Sequence, residues 1–245
     1  IQIDYCFLDE EQDPKNKKHP VLTMVCAKSW SIGACKVRVK GAQDEYAVVY
    51  ILAFIRQLGW TSVILRTDGE SSMTQLVQKV SEKRAPLQTV PEATPKGSKG
   101  SLGYVEGARP MIEGQFRTML ARLRDRYPEV EITLDDGIVE WLVRHCAMLL
   151  SAFQVGADGR TPVQRITGKP YNATMYEFGE CGDFKAPPVA AQGKADARGG
   201  CSVWVGKSQI DNANLVLTEK GCIKCRTVQK VDETRRFDKD LFLSV

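Results

Sequence analysis

The chain has 245 residues, 43% of them hydrophobic and 26% charged, with 20 Gly and 11 Pro, which excludes collagen-like, coiled-coil and wholly disordered classes. Its 34 Lys and Arg against 30 Asp and Glu leave a formal charge of +4, compatible with a nucleic-acid partner but too mild to require one. No run approaches the roughly 18 apolar residues of a membrane span, since the apolar segment 147–153 is short and flanked by His145 and Gln154, so no membrane is expected as a partner.

The eight cysteines are scattered in a chain large enough to bury a core without staples, which fits reduced intracellular thiols better than a disulfide framework. Ile1 opens directly on an alternating apolar segment with neither an initiator Met nor a signal-peptide pattern, so the expectation is a piece of a longer polypeptide.

In chain order, IQIDYCFLD alternates as a strand, the polar DPKNKKHP interrupts, and VLTMVCAKS and IGACKVRVK form two further strands around SWS. YAVVYILAFIRQLG, about 46–59, carries a broad apolar helical face ending at Gly59, and TSVILRT is a β-branched strand closed by Asp68 and Gly69. SSMTQLVQKVSEK follows as a helix with Ser71 or Ser72 as cap and Leu76, Val77 and Val80 on one face. Three strands, helix, strand, helix predicts an α/β domain with a mixed sheet.

The stretch 91–103, PEATPKGSKGSLG, reads as a long polar loop of functional type. A helix is predicted from about Tyr104 to Tyr127, then a second over DDGIVEWLVRHCAMLLSAFQ, capped by Asp135 or Asp136 and burying Trp141, Leu142, Cys146, Leu149 and Leu150. TPVQRITGK, 161–169, reads as a short helix ended by Gly168. Beyond about residue 175 a linker-like segment with Pro187 and Pro188 precedes three short strands, CSVWVGK, NLVLTEKG and CIKCRTVQKV. The predicted organisation is a core over 1–174 and a small β-rich module over 175–245.

Three acids occupy places where carboxylates are costly or prominent. Asp4 lies inside the first strand, where β propensity disfavours it; Asp68 closes the fourth strand; and Glu106 opens the helix after the polar loop. Strand ends and a helix N-terminus can gather three carboxylates at one sheet edge, where repulsion calls for cations, and Mg²⁺ takes such hard oxygen ligands. Taken singly, each residue also has a plain structural account: a solvated edge-strand acid, a turn acid before Gly69, and a first-turn acid favoured by the helix dipole.

With IQIDYCF around Asp4, ILRTDGE around Asp68 and GYVEGA around Glu106, the chain resembles the catalytic core of retroviral and retrotransposon integrases, which carry two Asp and one Glu on a ribonuclease H-like fold. EGQFRTML, WLVRHCAMLLSAFQVGADGRTPVQRITGKPY and FDKDLFLSV extend the likeness to polyproteins of long-terminal-repeat retrotransposons. The resemblance implies a ribonuclease H-like mixed sheet flanked by helices. It further implies a polynucleotidyl transferase that trims element DNA ends with water and joins their 3′ hydroxyls to target DNA. The implied cofactors are two Mg²⁺ (or Mn²⁺) ions roughly 3.5–4 Å apart, bridged by Asp4, with Asp68 on one and Glu106 on the other. Double-stranded DNA and further copies of the chain are the implied partners, in the nucleus or a virus-like particle. The family's zinc-binding module would lie upstream of Ile1, since only His19 and His145 are present.

Pro110 departs from the pattern, because four residues after Glu106 it presses on a helical carbonyl at a cost of about 3 kcal/mol. A helix starting at Pro110 would instead make Glu113 the third carboxylate. Positive charge gathers around this segment: Lys96, Lys99, Arg109 and Arg117 are the candidate phosphate contacts, while Arg122, Arg124 and Arg126 divide between phosphate contact and a solvated helix face. Cys222 and Cys225 read as strand residues rather than half a zinc site, and His145 as a packed or capping histidine. Two other functions stay open: a ribonuclease H-like nuclease that only hydrolyses, and a non-catalytic DNA-binding or assembly module.

Overall fold

The computed structural model describes residues 1–8, 19–95, 100–185 and 199–245. The chain divides into two compact units, one of Ile1–Arg117 with Leu134–Asn172 and one of Thr118–Thr133 with Ala173–Val245.

The first unit is built on a five-stranded mixed sheet of β1 (Gln2–Phe7), β2 (Pro20–Val25), β3 (Ile32–Lys36), β4 (Val63–Thr67) and β5 (Thr89–Ala93), in the order β3-β2-β1-β4-β5. β1, β2 and β3 are antiparallel, whereas β4 pairs parallel to β1 and β5 parallel to β4. This is the sheet of the ribonuclease H-like fold expected from the sequence. The two parallel pairings require crossovers, supplied by α1 (Glu45–Leu58) and α2 (Ser71–Arg84). Asp44 caps α1 by accepting from the Tyr46 N–H at 3.0 Å, and Gly59 ends it in the left-handed region at φ 74°.

Strand alternation sorts the sheet into two faces. Ile3, Tyr5, Leu22, Met24 and Cys35 point into a core with Ile51, Phe54 and Ile55 of α1 and Leu76 and Val80 of α2. On the opposite face lie α3 (Gly103–Arg126) and α4 (Gly137–Phe153). Ser151 ties α4 to β3, its Oγ accepting from the Ile32 N–H at 2.9 Å and donating to the Ile32 carbonyl at 3.0 Å. α5 (Pro162–Thr167) carries a Thr161–Gln164 capping box and ends at Gly168.

Several elements differ from the sequence expectation. Residues 91–93 of the expected loop are strand, because β5 pairs with β4 in the register Leu65↔Pro91; its edge position spares Pro91 the missing donor. Ser71 opens α2, and the cap position falls to Glu70. α4 buries Leu142 and Cys146 as expected, but Trp141, Leu149 and Leu150 are only half-buried. The contact face instead runs through Val139, Val143, Ala147, Ser151 and Ala152, whose small C-terminal members let the helix approach β3.

The second unit contains a five-stranded antiparallel sheet rather than three strands. β6 (Cys181–Lys185), β7 (Gly199–Lys207), β8 (Asn214–Thr218), β9 (Gly221–Cys225) and β10 (Val228–Lys230) run in the order β10-β6-β7-β8-β9. CIKCRTVQKV is thus two strands, because Val228–Lys230 pairs with β6 instead of continuing β9. Trp204, Val216, Cys225 and Val228 form its core, and the Trp204 indole donates to Asn214 at 3.1 Å. α6 (Lys239–Ser244) lays Phe242 on Tyr127, ring centroids 4.0 Å apart. Pro187 and Pro188 lie outside the described residues.

Gly33 sits where a Cβ would come within 2.9 Å of both Met24 and the Phe54 ring. Gly33→Ala is therefore expected to destabilise the chain by about 1–3 kcal/mol in urea unfolding, and an unchanged midpoint would contradict this packing. His145 on α4 is 4% exposed, and burial pushes its pKa down to about 4. The unfolded imidazole takes up a proton near pH 6.5 and the folded one only near 4, so stability falls as pH drops through that window. Wild type is expected to lose about 2 kcal/mol more than His145→Gln between pH 7 and 5.

Candidate active site

β1 carries the site on the face turned away from the core shared with α1 and α2. Ile3 and Tyr5 are fixed in that core, so Gln2, Asp4 and Cys6 point to the other side. The parallel pairing with β4 is registered at Gln2↔Arg66. Two residues further along each strand stand Asp4 and Asp68, at the carboxyl end of β4, where open α/β sheets take their ligands.

Asp4 is half-buried and accepts a hydrogen bond from the Tyr5 N–H at 2.7 Å. Burial raises its pKa above the ordinary carboxylate value; the Tyr5 N–H opposes this, the negative charge of Asp68 adds to it, Lys40 opposes it and Glu70 adds again. Asp68 is half-buried and accepts from the Glu70 N–H at 3.0 Å, an Asx-type turn that launches α2. Gly69 makes that turn at φ 79°, a left-handed conformation that favours glycine.

α3 enters beside these strands. Gln2 accepts from the Tyr104 and Val105 N–H groups at 2.9 and 3.2 Å and donates to the Ser101 carbonyl at 3.1 Å, which pins the first turn of the helix to β1. Val105, Ala108, Ile112 and Phe116 are buried, and Glu106, in that first turn, is exposed. α3 starts at Gly103 and runs on through Pro110, so the alternative start at Pro110 is not adopted. The proline takes away the donor that would otherwise meet the Glu106 carbonyl. Glu113 pairs with Arg109, Nε to Oε1 2.7 Å, on the same helix, and both charges act on the Cys6 thiol.

The structure thus brings Asp4 and Asp68 into one electrostatic neighbourhood, sets Glu106 on the helix turn anchored two residues before Asp4, and places Arg109 and Glu113 farther along the same helix. Among the described residues, no three His, Cys, Asp or Glu side chains are grouped so as to hold a metal. In donor chemistry, Asp4 and Asp68 suit a hard divalent cation, which would relieve the repulsion that lifts the Asp4 pKa.

The basic residues separate into two sets. Lys96 and Lys99 lie outside the described residues. Arg109 and Arg117 are exposed on the first-unit part of α3. Arg122 and Arg126 are occupied by Glu177, the latter through two bonds of 2.8 and 2.9 Å, and Arg124 donates to the Ile132 carbonyl. These three serve the packing of the second unit. Sequence reasoning missed Lys40, whose ammonium lies 5.4 Å from the Tyr5 ring centroid and 5.2 Å from that of Phe7 and pairs with Glu70 at 3.6 Å. It missed Gln2 as well, although an amide among the apolar residues of IQID was a signal.

No protein-family model matches the sequence, and no curated protein matches it. Among solved structures, the chain is similar to the simian T-cell lymphotropic virus intasome, solved by cryo-electron microscopy in complex with PP2A regulatory subunit B56 gamma. The identity is 13% and the TM-score 0.49, over 94% of this chain and 77% of that one. It is also similar to the crystallised catalytic core domain of BIV integrase, at 18% identity and a TM-score of 0.46 over 68% of this chain and 92% of that one. At these identities and TM-scores the likeness assigns no activity to this chain.

The raised pKa of Asp4 carries a sign. A carboxyl that holds its proton more tightly folded than unfolded contributes stability at low pH and loses it as pH rises through the folded value. Asp4→Asn is therefore expected to melt higher than wild type at pH 7, with the gap closing toward pH 4; an Asn variant that melts lower at pH 7 would contradict this electrostatic account.

Proposed function

We propose that the chain is an integrase-type polynucleotidyl transferase that trims retroelement DNA ends and joins their 3′ hydroxyls to target DNA. What supports the reading is the parallel pairing at Gln2↔Arg66, two residues before Asp4 and Asp68, and the action of the Asp68 charge on Asp4, together with the ordered acids of the integrase resemblance. Residues 1–174 are assigned as the catalytic core and 175–245 as its β-rich companion module. Asp4, Asp68 and Glu106 are assigned as the groups that hold two Mg²⁺ or Mn²⁺ ions. Bound there, such ions supply Lewis-acid stabilisation of a phosphoryl transition state.

The chain's own residues do the remaining work. The Tyr5 N–H orients the Asp4 carboxylate, the turn to α2 orients Asp68, and Lys40 moderates the local negative charge. Arg109 and Arg117, with Lys96 and Lys99, are assigned to phosphates of double-stranded DNA, a contact that positions the duplex without reading its sequence. Assembly of several copies, acting in the nucleus or a virus-like particle, belongs to the same proposal.

A second reading, a non-catalytic DNA-binding or assembly module, is favoured by Pro110 inside the helix that carries Glu106. Labelled terminal-repeat DNA incubated with the protein in Mg²⁺ or Mn²⁺ separates the readings. Joining that falls by roughly 100-fold or more in Asp68→Asn is expected, since metal stabilisation is worth several kcal/mol. Cleavage without joining would make the protein a hydrolase, and binding alone, unaltered by Asp68→Asn, would make it a module. Arg117→Ala is expected to weaken binding evenly across sequences and to lower the salt slope by about 1.

A further inference from the structure

Gln2 is 5% exposed in β1, yet both ends of its carboxamide are engaged by a turn about a hundred positions away. Oε1 accepts from the N–H groups of Tyr104 and Val105, and Nε2 donates to the carbonyl of Ser101. The first N–H groups of a helix lack intrahelical acceptors, and here the acceptor comes from a different strand. The turn presents two donors and one acceptor within reach of one planar group. A carboxamide answers both kinds, whereas a carboxylate only accepts and a hydrocarbon does neither.

Rotation of this strand is not free to drift, because Ile3 and Tyr5 on either side of Asp4 are locked in the core. The same helical turn is held a second time, where the Tyr104 ring meets Trp30 edge-on at 5.2 Å. Glu106 follows Val105 directly, and Asp4 follows Gln2 by two, on the same side of the strand.

The geometry points to Gln2 as a positioning residue that sets the Glu106-bearing turn of α3 against the Asp4-bearing strand, and through that register governs the affinity of the carboxylates for a divalent cation. This role rests on the integrase reading of the three acids, although the anchor itself does not.

The test uses the full chain and three variants, Gln2→Leu, Gln2→Glu and Gln2→Asn, with two readouts that need no turnover: amide hydrogen exchange and Mn²⁺ titration by calorimetry. In Gln2→Leu, exchange at the Tyr104 and Val105 amides is expected to quicken at least about tenfold while α1 and α2 stay protected. Its Mn²⁺ affinity is expected to weaken by roughly 10–100-fold, the usual effect of removing a group that orients metal ligands. Gln2→Glu keeps the acceptor for both amides, so their slow exchange and most of the Mn²⁺ affinity should return, a rescue that a merely space-filling role would not show.

Unchanged exchange at those two amides in Gln2→Leu overturns the proposal, as does faster exchange with unaltered Mn²⁺ affinity. Should Gln2→Leu not fold, Gln2→Asn, one methylene short of the turn, carries the same expectation and the same refutation. A wild-type chain that binds no Mn²⁺ overturns the metal-governing role, whereas intact Mn²⁺ binding without DNA joining overturns only the functional reading.

Discussion

The first unit depends on the placement of β1 between an antiparallel partner and a parallel one. Its neighbour β2 is paired along its whole length, Gln2↔Val25 to Phe7↔Pro20, while β4 is registered to it at Gln2↔Arg66, with Ile1 bonded to Ile64 and Arg66 beside that pair. Side chains alternate strictly along such a strand, and a slip of one residue would exchange its two faces. Ile3 and Tyr5, sealed in the core with α1 and α2, therefore dictate that Gln2 and Asp4 face α3. One hydrophobic constraint orients the polar side of the strand.

That orientation explains the electrostatics of the site. A carboxylate on a half-buried strand loses hydration, and its pKa rises most from that loss, with the charge of Asp68 adding to it. Nothing about packing favours such an arrangement. Under the proposed function, that cost in stability is one the site carries for its chemistry. Lys40 counters part of the charge while its ammonium lies over the Tyr5 and Phe7 rings, a cation–π contact that holds it beside the site.

α3 shows how one helix is divided between tasks. Its first turn is fastened by Gln2 and by the Trp30 contact, and its first-unit part exposes Arg109 and Arg117. Its last turns belong to the second unit, where Glu177 takes two guanidinium groups and burial holds Tyr127 against Phe242. The positive charge of this helix is therefore not uniform in purpose: Arg109 pairs with Glu113 on the same helix, whereas Arg122, Arg124 and Arg126 bond Glu177 and the Ile132 carbonyl of the second unit, partners that a count along the sequence does not reveal.

Much of the fold was legible in the sequence because local patterning dominates it. The alternation of IQIDYCF, the helical face of YAVVYILAFIRQLG with Gly59 at its end, and the capped TPVQRITG each declare an element within a few residues. Asp4 stood out because a carboxylate disfavours a strand interior, and Asp68 because it closes one. Other features depend on partners remote in sequence. TVPEA becomes a strand only because β4 offers its edge, Val228–Lys230 separates from β9 only because β6 lies beside it, and α4 turns Ala147 and Ser151 inward because β3 approaches closely. By itself the sequence determined which residues could be buried, which could start or stop a helix, and which acids were out of place, since those follow from side-chain chemistry and spacing. Only the tertiary structure decided that the Asp68 charge acts on Asp4 and that Gln2 holds the turn before Glu106, because strand pairing and long-range hydrogen bonds are properties of strands and helices brought together.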